Sequence, residues 1–315
     1  MAREPARPAA PLITIERELF LRSISVALPQ GGGALQLARA MRDASFRAGE
    51  IIYRAGDFTR LIHFITHGEV ELTGVDVEPW KLAAPAVIGI LDVNQRRPFS
   101  RTARALTDVR ALVLREDDWF EVFEEHFEFA RASLRRVAGD VHELHLAASP
   151  GGGFPQPPTP TDFDAHALNL QERTLALRAV PAFRTAGIQS LALLAAGATE
   201  LALGPGERLF ARDEPSLSLF AVARGTIRIE RENPVIRARF GPGSLVGGCA
   251  SVSFVTQPYH AEAEVPSVVL ELRREALIDT LEDHVEMIHA MFSGLSVERE
   301  EILDDRARRA RLARG

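Results

Sequence analysis

The sequence predicts a mainly β protein made of two similar halves, each ending in a long helix. Three observations lead to this fold class. The chain repeats itself at a shift of about 157 residues, and its apolar residues alternate in short stretches that Gly interrupts. After each set of alternating stretches the apolar period changes from 2 to 3.6. Several short strands of this kind are typical of a β-sandwich or a β-roll.

The internal repeat is carried by matches that keep one order along the chain. A shift of 157 residues places Gly49 and Glu50 on Gly206 and Glu207. A shift of 158 gives the later matches, which are Gly89 with Gly247, Ala103 with Ala261, Leu112 with Leu270 and Leu114 with Leu272. Only single-residue adjustments separate the two sets, so we expect both halves to have the same fold.

A Pro- and Gly-rich stretch separates the halves. Residues 148–161 hold five Pro and three Gly, which cannot continue a helix or strand, and this predicts a linker. The predicted domains are an N-terminal arm and helix at 1–36, a first domain at 37–147, the linker at 148–161, and a second domain with the C-terminal helix at 162–315.

The strands are predicted from alternation of apolar and polar residues. Residues 46–53 and 62–72 alternate in this way, as half-buried strands do, with Gly at the turns. Residues 201–210, 219–229 and 268–272 repeat the pattern in the second half.

A helix with an apolar seam follows each set of strands. Apolar residues recur at spacings of four and three between Phe123 and Leu144, and again between Leu281 and Ile302. Two interpretations of this seam stay open. Each helix packs against its own half, or the C-terminal helix forms the seam of a homodimer.

Composition limits the class of protein. The chain has 315 residues, a net charge of −6, and a pI near 5.9, which favours a soluble two-domain protein and argues against a general nucleic-acid binder. The single cysteine, Cys249, excludes a disulfide framework, a Cys-ligated iron–sulfur cluster and a thiolate zinc site. Neither a signal peptide nor an apolar run of ~18 residues is present, which predicts a cytoplasmic protein that does not contact a membrane.

Longer strings within the repeat resemble one known module. Residues 49–57 (GEIIYRAGD) and 64–70 (FITHGEV) resemble the cyclic nucleotide-binding domain of catabolite activator proteins and protein kinase A regulatory subunits. The second half is similar over 205–210, 220–225 and 240–243. The resemblance implies two cyclic nucleotide-binding-type β-rolls (double-stranded β-helix, or jelly roll), each followed by a long helix.

The resemblance also implies a ligand site in the first half. Ile88 and Gly89, with residues 98–103 (PFSRTA), look like the phosphate-binding cassette of the family. This gives Gly89, Arg101, Thr102 and Ala103 as residues that would bind cAMP or cGMP. Arg101 stands at the position of the phosphate-binding arginine, and an arginine fork suits a phosphate. The family places a ribose-binding Glu directly after the cassette glycine, but here that residue is Ile90, which cannot accept a hydrogen bond.

The second half departs further from the family pattern. Tyr259 stands at the arginine position and Gly248 at the Glu position, so neither charge-matched contact remains. A phosphate buried there would lack its cation, and we therefore expect the second site to be degenerate.

Other chemistry-bearing residues give weaker signals. His142 and His145 fall one residue short of the HExxH zinc helix and no third ligand is evident, which favours a solvated helix end and no metal. His63 and His67 are predicted to be core or turn residues. We find no nucleophile–base set, phosphate loop or paired-carboxylate motif, so the sequence predicts a protein that is not an enzyme.

The sequence thus favours a non-enzymatic regulatory or sensor protein with tandem cyclic nucleotide-binding-type domains, acting on an unidentified downstream protein. A DNA-binding domain of the catabolite activator kind is not expected, because only 43 residues follow Leu272 and the helical seam uses most of them. Residues 1–15 lack the Arg-Arg-x-Ser/Ala string of a kinase-inhibiting segment. The alternative function is a protein-interaction scaffold in which both domains have lost ligand binding.

Overall fold

The structure is a computed structural model that describes residues 14–24, 32–58, 60–147, 166–232 and 235–312. The predicted linker at 148–161 lies outside the described residues, as does the start of the predicted arm at 1–36. The chain forms two compact units, of which the first is Met1–Val75, Pro79–Val93 and Pro98–Phe129. The second unit is Asp76–Glu78, Asn94–Arg97 and Ala130–Gly315.

The first half of the chain folds as two helices, a β-roll and a further helix. Its elements are α1 (Thr14–Ile24), α2 (Gly32–Ala40), β1 (Arg42–Phe46), β2 (Ile51–Tyr53), β3 (Leu61–His67), β4 (Glu69–Gly74), β5 (Val77–Ala83), β6 (Ala86–Ile88), α3 (Ile90–Asn94), β7 (Thr102–Ala105), β8 (Val109–Arg115) and α4 (Glu116–Glu125). The strands form two four-stranded sheets, in the orders β1-β8-β3-β6 and β2-β7-β4-β5. Strands β1–β8 are the first roll.

The second unit begins with most of a long helix and repeats the same pattern. Its elements are α5 (Phe127–Ala147), α6 (Leu170–Ala179), a short 3₁₀ turn (Pro181–Phe183), α7 (Ile188–Gly197), β9 (Thr199–Leu203), β10 (Arg208–Phe210), β11 (Ser218–Arg224), β12 (Ile227–Arg231), β13 (Ile236–Phe240), β14 (Leu245–Val246), α8 (Gly248–Ser253), β15 (His260–Ala263), β16 (Ser267–Arg273), α9 (Arg274–Asp283) and α10 (Val285–Leu312). The sheet orders are β9-β16-β11-β14 and β10-β15-β12-β13. Strands β9–β16 are the second roll.

The two rolls have the same strand pairing at equivalent residues. Leu72 of β4 lies opposite Ala103 of β7, and Ile229 of β12 lies opposite Ala261 of β15. All named pairs are antiparallel, and β2 and β10 carry the same register shift against β7 and β15. The predicted repeat and the predicted mainly β fold with two rolls are confirmed.

Alternation of the side chains explains where each core lies. One face of each strand points into its roll, and the buried residues of that face form an apolar cluster. In the first roll this cluster includes Val70, Leu72 and Ala103, and in the second roll it includes Ile227, Ile229 and Ala261. Burial of this apolar surface is what stabilises each roll against the unfolded chain.

The two predicted apolar seams are used within the chain. The seam from Phe123 to Leu144 is interrupted, because α4 ends at Glu125 and α5 begins at Phe127. On α10 the seam residues Ile288, Phe292 and Leu295 are buried by their own chain. Gly294 on the same helix lies so close to Ala182 that an added Cβ would collide with its backbone. The structure therefore supports the interpretation in which the C-terminal helix packs against its own half.

No described helix combines the length and the apolar character that crossing a bilayer requires.

Candidate functional site

The predicted cassette residues of the first roll lie after β6 and at the start of β7. Gly89 joins β6 to α3, and Thr102 and Ala103 open β7. Arg101 directly precedes that strand. Ala103 is fully buried opposite Leu72, so it is part of the roll wall. The Thr102 hydroxyl accepts a hydrogen bond from the backbone N–H of Ala55 at 3.0 Å, which ties the start of β7 to the turn after β2.

Gly89 is required by its backbone conformation and by its neighbours. Its φ is +82°, a backbone conformation that residues other than glycine rarely adopt. A Cβ at this position would stand 2.8 Å from the carbonyl oxygen of Leu61. The close approach of Leu61 and Phe99 to Gly89 therefore disfavours any larger residue at this position.

Arg101 is a buried cation with an aromatic neighbour. Only 4% of the residue is exposed, which is unusual for an arginine. The central carbon of its guanidinium lies 4.0 Å from the centre of the Trp80 ring, a cation–π geometry. The first roll therefore holds a fixed positive charge at the position where the cassette was predicted.

Tyr53 links Gly89 to Arg101. The Tyr53 ring stacks on Phe99 at a centroid distance of 3.9 Å, and its hydroxyl is hydrogen-bonded to the backbone of Gly89. Burial raises the pKa of Tyr53 well above its ordinary value of 10. The charge of Asp92 adds to this rise and that of Arg101 opposes it, so both charged groups are close enough to act on the same hydroxyl.

Asp92 and Trp80 were not among the predicted site residues. Asp92 is a buried carboxylate in the first turn of α3, two residues after Ile90. Ile90 itself is partly buried and supplies no acceptor. Asp92 lies only three residues after Gly89 in the sequence, but its burial beside Tyr53 depends on the fold. Trp80 comes from β5, and nothing in the spacing indicates that its ring covers Arg101.

The equivalent position of the second roll holds a buried aromatic residue. Tyr259 is 8% exposed and packs against Phe210, with ring centroids 5.9 Å apart. Its hydroxyl is hydrogen-bonded to the backbone of Gly247, as that of Tyr53 is to Gly89 in the first roll. Burial raises the pKa of Tyr259 above its ordinary value of 10. The ring therefore fills the second roll where the first roll has its arginine.

A small cavity remains beside Tyr259. Its volume is about 30 Å³, far below the ~300 Å³ at which pockets for small organic molecules begin. The cavity is lined from the second roll and from two helices of the same unit; its walls include His142, His145 and Leu146 of α5, Gly247, Gly248, Cys249 and Tyr259, and Glu298 of α10.

The prediction that His142 and His145 form a solvated helix end is wrong. They are 8% and 7% exposed, because this face of α5 packs within the second unit. Burial lowers the pKa of His142 below its ordinary value of 6.5, and burial raises the pKa of the Cys249 thiol. For the other two histidines the expectation is confirmed, since His63 lies in the core and His67 is exposed at the turn before Gly68.

Comparison with known proteins assigns both rolls to one family. The family model of the cyclic nucleotide-binding domain matches residues 44–126 and 200–284, which is more than half of the chain. No curated protein matches the chain.

Solved structures similar to this chain include protein kinase A regulatory domains. The regulatory domain of Toxoplasma gondii protein kinase A, crystallised with cAMP, is 14% identical, covers 90% of this chain and 97% of its own, and has a TM-score of 0.35. The regulatory subunit of a cAMP-independent protein kinase A from Trypanosoma brucei is 14% identical, with 86% and 89% covered and a TM-score of 0.35. A cyclic nucleotide-binding-like protein from Brucella abortus is 27% identical over 35% of this chain and 98% of its own, with a TM-score of 0.32.

Proposed function

The chain belongs to the cyclic nucleotide-binding domain family, and on this basis we propose that it is a non-enzymatic regulatory protein whose first roll binds one cyclic nucleotide. The second roll binds none. The ligand is cAMP or cGMP, and its binding is passed on to a downstream protein. The observation that carries the proposal is the buried Arg101 at the predicted cassette of the first roll.

Arg101 supplies the charge that a cyclic phosphate needs. A buried guanidinium presents several N–H donors with little competition from water, so a charge-assisted contact to phosphate oxygens is strong there. Gly89 lets the chain turn closely past Leu61 and Phe99 into α3, which sets the position of the backbone at the predicted cassette. The Trp80 ring now lies over the guanidinium, and it offers an aromatic face on which a bound base could stack once the phosphate takes its place at Arg101.

Two features of the first roll weaken the expected affinity. Ile90 leaves the ribose hydroxyl without the acceptor that the family provides, and one missing hydrogen bond of ~1.4 kcal/mol corresponds to about tenfold in affinity. The buried carboxylate of Asp92 acts on the same Tyr53 hydroxyl as Arg101 does, and its negative charge disfavours an incoming phosphate.

The absence of a cation and the small space beside Tyr259 support the proposal that the second roll binds no nucleotide. Tyr259 fills the position of the arginine with a neutral ring, and the cavity beside that ring, of about 30 Å³, is too small for a nucleotide. We therefore expect one ligand per chain.

Calorimetric titration of cAMP and of cGMP into the full chain tests the proposal. Arg101→Ala should abolish binding, and Arg101→Lys should weaken it, because an ammonium cannot reproduce the two parallel hydrogen bonds of a guanidinium. Tyr259→Phe is the matched control in the second roll and should leave binding unchanged. The sequence alone suggests Tyr259→Ala as this control, but the buried ring is part of the core, so its removal would unsettle the roll.

Two further variants should strengthen binding. Ile90→Glu restores the missing acceptor, and we expect about a tenfold gain in affinity. Asp92→Asn removes a buried negative charge near the site while preserving the shape of the side chain, and it should also raise affinity.

Two sites per chain, or binding that survives the loss of Arg101, would contradict the proposal. The second candidate function is a ligand-free scaffold, which is favoured by the stacking of Arg101 on Trp80 and by Ile90 at the acceptor position. No heat with either nucleotide, in wild type and in Ile90→Glu alike, would select the scaffold.

A further inference from the structure

Three different ligand-type side chains meet at the cavity beside Tyr259 in the second unit. His145 comes from α5, Cys249 from α8 and Glu298 from α10. The Nε2 atom of His145 lies 3.2 Å from a carboxylate oxygen of Glu298. All three ligand atoms, including the Cys249 Sγ, lie within 4.8 Å of one another.

We propose that the second unit binds one divalent transition-metal ion, Zn²⁺ in the first instance, through His145, Cys249 and Glu298. As the metal binds, the Cys249 thiol releases its proton to solvent and the sulfur coordinates as a thiolate. The site belongs entirely to the second unit and does not depend on nucleotide binding in the first roll.

The spacing of the three atoms suits a tetrahedral metal centre. Zn²⁺ lies about 2.0–2.3 Å from nitrogen, oxygen and sulfur ligands, so ligand atoms in a tetrahedron are roughly 3.5 Å apart. The His145–Glu298 separation already has this value within a few tenths of an ångström. Small rotations of the side chains would bring the Cys249 sulfur to the same distance, since no pair of these atoms exceeds 4.8 Å.

The types of ligand select the class of metal. A thiolate together with an imidazole and a carboxylate suits Zn²⁺ or Co²⁺, whereas Mg²⁺ and Ca²⁺ prefer oxygen ligands alone. The single cysteine was expected to exclude a thiolate zinc site altogether. It does exclude zinc sites built from several thiolates, but the proposed mixed site needs only one.

The cavity leaves room for the ion and one more ligand. Its volume of about 30 Å³ exceeds the 10–15 Å³ that a water molecule requires. A water can complete the coordination. The second unit thus gathers electron-pair donors for a cation beside Tyr259.

Residue spacing does not indicate this cluster, because its members are far apart along the chain. Cys249 follows His145 by 104 residues, and Glu298 follows Cys249 by 49. The apparent lack of a third ligand for the histidines reflected this distance along the chain. The fold brings α5, α8 and α10 together.

Metal titration of the full chain, first stripped of metal by a chelator, tests the proposal. With Co²⁺ as the probe, we expect one ion per chain and a thiolate-to-cobalt charge-transfer band in the near ultraviolet that one equivalent of Zn²⁺ removes. Cys249→Ser should abolish the band. His145→Ala and Glu298→Gln should each weaken Zn²⁺ binding by at least about tenfold. His284→Gln is the matched control on a histidine outside the cluster, and Arg101→Ala should leave metal binding intact.

A second readout does not depend on any variant folding. Cys249 is the only cysteine, so the rate of thiol alkylation reports this site alone. One equivalent of Zn²⁺ should slow alkylation of the wild-type chain at least about tenfold. Absence of the cobalt band, a band that survives in Cys249→Ser, or alkylation that Zn²⁺ leaves unchanged would overturn the proposal.

Discussion

Two buried tyrosines reach the same glycine of the two rolls from different positions in the sequence. Tyr53 and Tyr259 each place a hydroxyl on the backbone of the glycine that begins the cassette. Tyr259 could be identified from the sequence, because it replaces the arginine in the aligned repeat. Tyr53 could not, because it comes from β2, and only closure of the roll brings it beside Gly89. Proximity across a fold leaves no trace in residue spacing.

His63 should make the first roll sensitive to acid. Burial lowers its pKa to about 4 from the ordinary value of 6.5, so the folded state resists a proton that the unfolded chain accepts. Above pH 6.5 His63 is neutral in both states and has no effect on the free energy of unfolding. As the pH falls from 6.5 towards 4, the unfolded chain takes up the proton first, and the free energy of unfolding decreases. At pH 4 the free energy of unfolding should have fallen by roughly 3 kcal/mol on account of this residue.

Urea denaturation between pH 7 and pH 4 measures this effect by comparison with His63→Gln, whose side chain does not titrate. His67→Gln, an exposed position on the same strand, is the control and should follow the wild type. If the wild type and His63→Gln lose stability in parallel, His63 does not resist protonation in the folded state.

Gly89 and Gly49 provide a matched test of close packing at the site. Both have positive φ, of +82° and +87°, so an alanine at either position should cost about 1–2 kcal/mol in backbone strain. At Gly49 a Cβ would meet no atom within 4 Å, whereas at Gly89 it would stand 2.8 Å from a carbonyl oxygen. Gly89→Ala should therefore lower the free energy of unfolding by a further ~1–3 kcal/mol. Equal losses in the two variants would show that the chain at Gly89 has room to adjust.

At the scale of the elements, the sequence predicted more about where the helices lie than about what they contact. The apolar spacing of α10 was readable, but spacing alone could not decide between a partner in the same chain and a second copy. The structure covers Ile288, Phe292 and Leu295 from within the chain. In the other helical region the apolar spacing continues past His126, although α4 ends at Glu125 and a separate helix, α5, begins at Phe127. Local periodicity does not register such a change of direction.

Substitution of Ile288 distinguishes the two uses of the α10 seam. Ile288 is 2% exposed, so Ile288→Asp places a carboxylate in an apolar core and should destabilise the chain by at least ~3 kcal/mol. Ala310→Asp, at an exposed position of the same helix, should stay within about 0.5 kcal/mol of the wild type. Urea denaturation with size-exclusion chromatography makes the comparison. An Ile288→Asp protein of unchanged stability and halved mass would instead identify a dimer seam.

At the scale of the whole molecule, the repeat allowed the fold to be predicted twice over from one chain. Matches at shifts of 157 and 158 residues correspond to strands that pair in the same register in both rolls. The predicted site rests on residues from one sequence window, such as Gly89 and Arg101, and it stays a prediction. Residue patterns also do not predict that α5 is divided between the two units. This helix follows the first roll in sequence, but from Ala130 onwards it packs within the second unit.

Limited proteolysis tests this arrangement of α5. The sequence predicts cleavage within 148–161, which would leave α5 on the N-terminal fragment. Within the second unit, the Arg135 guanidinium donates to the carbonyl of Ser253 at 3.2 Å and His145 contacts Glu298. The two fragments should therefore be separate under denaturing conditions and co-elute under native ones. Fragments that separate without denaturant would show that α5 is not held by the second unit.

A crystal structure of the full chain, from crystals grown with excess cAMP, tests the proposed function most directly. We expect one nucleotide per chain, in the first roll, with its phosphate against the Arg101 guanidinium and with Tyr259 still filling the equivalent place in the second roll. A nucleotide beside Tyr259, or a first roll in which Arg101 remains stacked on Trp80 with no ligand against it, would contradict the assignment.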